Sequence, residues 1–285
     1  MKKEPHFHER CREAMLGDEV FADAYGLLEP GQRAWLKKLA AETHAMVSAE
    51  KRERRVCRED WSSGFSGRIE SMPAKRTFLF IGQGVASPVQ VAAAALPAVF
   101  RGVSEFYAVR IGAGGGPDNI LAALEICGIE NVCAFDNEQA AEIFSAAAAD
   151  PDCAVLSLGC EFQPPAGAGC AFFWSRAEIA SMAVYCDGSD DPDYQAMAWA
   201  HPNAEFKIFG DAGENTPENF EGLPGGLDAL AGLRPEVLFT TGAMPEGLDS
   251  GIPLVLGAGQ EGCFFWPELM DSDFCVRMLA VWDRG

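Results

Sequence analysis

From Thr77 to Leu256 the chain keeps repeating one pattern, a strand-length apolar run followed by a turn and a helix-length stretch headed by a capping residue. Successive strands joined through helices pair in parallel, because a parallel connection needs a long crossover. The runs TFLFI (77–81), EFYAVRI (105–111), NVCAF (131–135) and CAVLSLG (153–159) read as buried strands. Ser87, with Pro88 after it and Gln90 three positions on, predicts a helix opened by a capping box and ended at Gly102. Pro97 is expected to kink or split that helix. Asp118 heads NILAALEIC, closed by Gly128, and Asp136 with Gln139 forms a second capping box before AAEIFSAAAA.

After a Gly- and Pro-rich break at 163–169 the alternation resumes, with strands in IASMAVYC, EFKIFG, EVLFTT and IPLVLG and helices in DYQAMAWA and LDALAGL. A final helix is expected near 272–282. The fold class is therefore α/β: two three-layer αβα domains, Rossmann-like but incomplete, at 76–170 and 171–285, with a boundary near 163–178. Residues 1–75 read as a helical N-terminal segment and connector. Apolar positions at helical spacing (Leu27, Leu28, Trp35, Leu36, Leu39, Met46) are interrupted at Pro30-Gly31, and residues 61–74, rich in Ser, Gly and Pro, look like the connector.

Charge narrows the functional classes. The net charge is −20, but residues 1–76 hold 15 of the 22 Lys and Arg and 13 of the 42 Asp and Glu, which makes that part about +2 and the remainder about −22. A body of that sign repels phosphate backbones and anionic lipid, so neither a nucleic-acid nor a membrane partner is expected. The basic run Lys51-Arg52-Glu53-Arg54-Arg55 reads as a solvated helix face. The start of the chain is charged rather than apolar and no run is long enough to span a bilayer, so the expected location is the cytoplasm. The ten cysteines are scattered, several within apolar runs, without a Cys-x-x-Cys pair, and read as free thiols rather than a disulfide framework or a zinc ribbon.

Few residues suggest chemistry. The loop Gly112–Gly116 joins a strand to a helix as a dinucleotide loop would, but Pro117 stands where a third glycine belongs, and a surface loop is the simpler reading. His6, His8 and Cys11 have metal-like spacing in a terminal segment prone to fraying. His201, at the end of DYQAMAWA, is the only imidazole in the α/β body and so the only one available there for proton transfer, although a helix C-terminus favours a histidine for electrostatic reasons alone.

Residues 77–145 resemble the central part of histidinol dehydrogenases. The likeness is carried by TFLFIGQG, by Pro97-Ala98 with Gly102-Val103, by Ile120-Leu121-Ala122-Ala123, by Gly128-Ile129 and by Gln139-Ala140. A fainter likeness continues through DPDYQAMAWAHPNAEFKIF, RPEVLF and WPELMDSDF. The resemblance implies NAD and zinc as cofactors, a homodimer, and a ligand cleft between the domains. Residue by residue it implies His201 and Asp273 as metal ligands, Glu236 and His201 as the catalytic groups, and Phe80, Gly82, Gly84 and Gln139 around the cofactor.

The departures from the family pattern matter as much. Ala198 stands at the family's metal-ligand Gln, Val237 at the histidine of its acid/base pair, Asp136-Asn137 at a Gly-Gly before Gln139, and the segment carrying the family's last histidine has no counterpart. One imidazole and one carboxylate make a poor zinc site. The expectation is a histidinol-dehydrogenase-like protein without the parent zinc- and NAD-dependent activity, acting as a small-molecule binding or regulatory protein. The alternative is an NAD-dependent oxidoreductase acting on a different small alcohol or aldehyde.

Overall fold

The computed structural model describes residues 7–47, 54–112, 116–188, 192–210, 216–242 and 251–284. Three helices come first: α1 (Phe7–Glu13), α2 (Asp18–Leu27) and α3 (Pro30–Met46), the last started by Pro30 with the Glu29 amide donating to Gln32 Oε1 at 2.9 Å. Pro30 opens α3 because its fixed φ suits a helix and its missing N–H has no intrahelical partner at a first position.

Residues 55–73, expected as helix and connector, instead form an antiparallel hairpin of β1 (Arg55–Trp61) and β2 (Phe65–Pro73), turned at Gly64 with φ of +75°. The hairpin gains a third strand from the far end of the chain. There the expected helix at 272–282 is a short 3-10 turn (Asp271–Phe274) followed by β13 (Cys275–Arg284), antiparallel to β2. Both departures have one cause. CVRMLAVWDR fits a helical or a strand period, and RVCREDW has too many charges to show alternation, so pairing with β2 decides the outcome. Glu70 on β2 is buried and ion-paired to Arg54 and Arg68, whose guanidinium groups hold its carboxyl below the usual range. On this sheet Trp61, Phe65 and Trp282 stack over Gly67, where an added Cβ would lie 2.7 Å from the Trp282 ring.

Next comes a five-stranded parallel sheet of β3 (Arg76–Ile81), β4 (Glu105–Ile111), β5 (Val132–Phe135), β6 (Cys153–Leu158) and β7 (Phe172–Arg176), in the spatial order β5-β4-β3-β6-β7. The strand β7 lies within the 163–178 stretch read as the boundary, just after its Gly/Pro-rich part, so the first sheet runs past residue 170 and the break between sheets falls at 177–180. Helices α4 (Pro88–Arg101) and α5 (Asn119–Ile126) cover one face, and α6 (Asn137–Ala148) covers the other. Strand alternation sorts the side chains, so Leu79 and Ile81 face α4 and α5 while Phe78 and Phe80 face α6. α2 and α3 pack outside α4 and α5, and Cys11 reaches the core on the α6 side. α4 is neither split nor ended by Pro97; the ring is buried and the helix runs unbroken to Gly102 (φ +85°).

A second parallel sheet repeats this order: β8 (Ser181–Cys186), β9 (Glu205–Gly210), β10 (Phe220–Gly222), β11 (Val237–Thr240) and β12 (Leu254–Leu256), arranged β10-β9-β8-β11-β12. α7 (Tyr194–Ala200) packs on one face and α8 (Leu227–Leu233) on the other, giving a second three-layer αβα unit. Met182, Val184, Phe206 and Phe239 share one continuous core with α4, Trp174, Phe264 and Trp266. The opposite face is served by a small cluster around Ala183, Phe209, Leu230 and Leu238. Among the described residues no helix is long and apolar enough to cross a membrane. All ten cysteines are free thiols, and burial pushes Cys127 and Cys263 up to about 12.

Candidate ligand site at the junction of the sheets

In open parallel sheets a ligand binds outside the carboxyl ends of the strands, where the strand order reverses. In the first sheet that point lies between β3 and β6, and the chain fills it. The Gly82 amide donates to Leu158 O at 2.9 Å, and a Cβ on Gly82 would stand 2.0 Å from the Gly159 carbonyl oxygen. Gly159 (φ +67°) in turn lies under Val85, whose Cγ2 is 2.4 Å from where its Cβ would be. Gly82 of the first strand-to-helix turn thus brings two loops of this chain together.

The start of α4 is also occupied. A helix N-terminus offers free amides and a positive dipole end, the natural seat for a phosphate. Here the Ala86 and Ser87 amides both donate to Glu178 Oε1, at 3.0 and 2.5 Å. The other oxygen, Oε2, accepts from Asn203 Nδ2 at 2.9 Å, and the same amide group donates to Gly84 O. Glu178 sits in the segment between β7 and β8, so a carboxylate from the link between the sheets stands where an anionic ligand would stand.

His201 lies just beyond, and it is sealed. Ser87 Oγ accepts from the Gln90 amide at 3.1 Å, as the capping pattern predicts, and spends its own proton on Ala200 O at 2.6 Å. The Gln90 side chain does not complete the capping box. It reaches across to Ile179, with Nε2 donating to the carbonyl and Oε1 accepting from the amide, both at 2.9 Å, because this pairing joins the two sheets. His201 Nδ1 lies 3.2 Å from Gln90 Nε2 and 3.3 Å from Ser87 Oγ. Nε2 has no hydrogen-bond partner among the described residues, and the ring stands among those of Phe206, Phe239 and Phe264. Burial drives the imidazole down to about 3, so it is neutral at physiological pH and exposed by 1%.

The other residues singled out from the sequence are dispersed. Phe80 is packed between Phe78, Phe144 and Phe162 in the α6-side core. Gln139 makes the capping box with Asp136, at 2.8 Å and 3.4 Å, on an exposed helix start. Gly84 is exposed and has open space where a Cβ would go. Asp273 Oδ2 accepts from the Met270 amide at 2.8 Å. Of the terminal trio, His6 and the His8 side chain lie outside the described residues, and Cys11 is buried; of the glycine loop, residues 113–115 lie outside them too. Zinc does not fit what remains: His201 is sealed, Asp273 is engaged at its helix turn, and among the described residues no three His, Cys, Asp or Glu side chains gather where they could hold a metal.

Glu236 does line a cavity. Arg176, Glu178, Asn203, Glu205 and Glu236 border a cleft of about 470 Å³ at the amino ends of β8, β9 and β11, next to the end of β7. Arg176 at its edge is held by Glu268 at 2.7 Å, and Trp174 Nε1 donates to the same oxygen at 3.3 Å. Neither Glu178 nor Asn203 carries a local signal, because their partners lie 25 to 119 residues away.

No protein-family profile and no curated protein sequence matches the chain. Among solved structures, histidinol dehydrogenase from Elizabethkingia anophelis superposes with a TM-score of 0.59 at 14% identity, over 100% of this chain and 82% of that one. Succinate-semialdehyde dehydrogenase from Burkholderia pseudomallei (TM-score 0.48, 9% identity, 90% and 77% covered) and an NAD-dependent benzaldehyde dehydrogenase from Corynebacterium glutamicum (0.48, 8%, 98% and 88%) overlap more loosely. What this chain shares with the first of them is the fold, a Rossmann-like α/β arrangement of the dehydrogenase type.

Proposed function

We propose that this protein uses a dehydrogenase fold without the zinc and NAD chemistry of histidinol dehydrogenases, and that it works as a binding or regulatory protein for a small polar molecule held in the cleft at Glu236. The observation that carries this reading is the Glu178 carboxylate across the Ala86 and Ser87 amides, which places negative charge where a dinucleotide phosphate belongs. The cleft volume is in the range of small-ligand sites. Three of its polar lining groups are carboxylates, which favours a ligand with positive charge. A zinc-supplemented assay with L-histidinol and NAD tests the loss of activity. No turnover is expected, and NAD reduction at about 1 per second or faster, an ordinary enzymatic rate, would refute it.

The second reading, an NAD-dependent oxidoreductase for another small alcohol or aldehyde, is favoured by the superposition along the whole chain on a dehydrogenase. It requires the dinucleotide to bind elsewhere than at the start of α4. A homodimer belongs to the same proposal: Trp61, Phe65 and Trp282, 39% to 54% exposed, form an aromatic surface on the three-stranded sheet that a second copy would cover. Sedimentation of the wild type against Trp282→Ser tests it, with a shift toward monomer expected in the variant.

A further inference from the structure

The end of α3, the proline turn of α4 and residues 265–271 enclose a second pocket, of about 220 Å³, sharing no lining residue with the cleft at Glu236. Its walls are apolar. Trp266 forms a rigid one: it is 5% exposed, its indole N–H donates to Gln90 O at 3.0 Å, and it stands edge-on to Trp174 and Phe264 with centroids 5.0 and 4.8 Å away. Pro97, Phe265 and Leu269 continue the wall, while Met46 and Met270, 64% and 60% exposed, make an adaptable rim.

The hydroxyl and carboxylate groups of the lining, on Thr43 and Asp271, are both left as acceptors. Pro97 has no amide proton to give to the Ala93 carbonyl one turn before it, and both residues line the pocket. Thr43 spends its hydroxyl proton on Leu39 O at 2.9 Å. Asp271 carries the one charge in the lining, which contains no Lys, Arg or His, and no ion pair with a described residue neutralises it. An apolar enclosure that presents a carboxylate and a backbone carbonyl is complementary to a cation with an apolar body.

We infer that this pocket binds a small organic amine with an aromatic or branched apolar body of about ten non-hydrogen atoms, its ammonium group toward Asp271 and the Ala93 carbonyl and its body against Pro97, Phe265 and Trp266. The site is independent of the proposed cleft, so either can fail without the other.

Calorimetric titration of the full chain with 2-phenylethylamine, 2-phenylethanol and 3-phenylpropanoate tests the inference. The amine is expected to bind in the submillimolar range, the alcohol about tenfold more weakly, and the carboxylate not at all, because only the first offers a charged donor to Asp271. Asp271→Asn should weaken amine binding about tenfold. Met270→Trp, a change at an exposed rim position that spares the core, should block entry, whereas Glu236→Gln should leave amine binding as it is. Equal binding of amine and carboxylate, no heat from the amine at about 10 mM, an amine affinity indifferent to both Asp271→Asn and Met270→Trp, or loss of binding in Glu236→Gln would each overturn it.

Discussion

The two parallel sheets share one strand order, yet they close their switch points by different means. In the first, Gly82 meets the backbone oxygen of Gly159; in the second, between β8 and β11, Gly242 meets the Asp187 side chain, with a Cβ position 2.0 Å from Oδ2. The first sheet is buried on both faces, and its central strands β3 and β6 have no exposed residue. The second is thinner, with a seven-residue helix on its outer face and no helix among the described residues between β9 and β10. The Asp187 carboxylate is itself fixed, accepting from Thr241 Oγ1 at 3.0 Å. The same topology therefore gives one crevice closed by the main chain and one closed by a hydrogen-bonded side chain.

Substitution of the two glycines should separate these cases most widely. Gly82→Ala forces a methyl group into a carbonyl and should cost about 3 kcal/mol or more, or prevent folding, whereas Gly242→Ala displaces only the Asp187 side chain from Thr241 and should cost about 1 to 2 kcal/mol. Chemical denaturation of both variants makes the check, and equal losses would mean that the two switch points are alike.

The next effect follows from His201, which belongs to the second sheet but meets Ser87 and Gln90 of the first through Nδ1. Its ordinary value of 6.5 falls to about 3 on folding. Between those values the unfolded chain binds more protons than the folded chain, so this contribution to stability is complete above about pH 6.5 and is lost progressively as pH falls toward 3. From pH 6.5 to pH 5 the loss is on the order of 2 kcal/mol. His201→Asn keeps an acceptor near Gln90 but cannot titrate, so the stability difference between wild type and variant should shrink as pH falls through this window. A difference that stays constant would mean that His201 is not sealed.

Smaller effects concern the helix starts. Glu178→Ala strips a charged acceptor from the α4 amides and from Asn203 and should cost about 1 to 3 kcal/mol. Gln139→Ala removes only the exposed half of the α6 capping box and should cost about 0.5 kcal/mol. Thermal melts distinguish them, and a Gln139 loss equal to that of Glu178 would contradict the junction's weight in holding the two sheets together.

These elements also show where sequence reading succeeds and stops. Four of the five strands of the first sheet, all but β7, and the caps at Ser87, Asp118 and Asp136 were legible because their signals are local: apolar runs, and a side chain bonding an amide three residues on. The hairpin at 55–73 and β13 were not, because β1 is too charged to show alternation, β13 fits either period, and the pairing of β2 with β13 spans about 200 residues. At the site, Gln139 was legible as a cap. Gln90 was read as one and spends its side chain on Ile179 instead, and Glu178 gave no signal, since a carboxylate in a connecting segment shows its role only once the fold brings α4 to it.

The central claim, that the first sheet's crevice no longer takes a dinucleotide, is tested most directly by melting the wild-type protein with and without millimolar NAD. A ligand at about 100 times its dissociation constant adds roughly 2.7 kcal/mol to stability, enough to be seen plainly in the melting temperature. With Glu178 across the α4 amides and Gly82 closed against Gly159, no shift is expected. A rise of several degrees would contradict the account and put the oxidoreductase reading first.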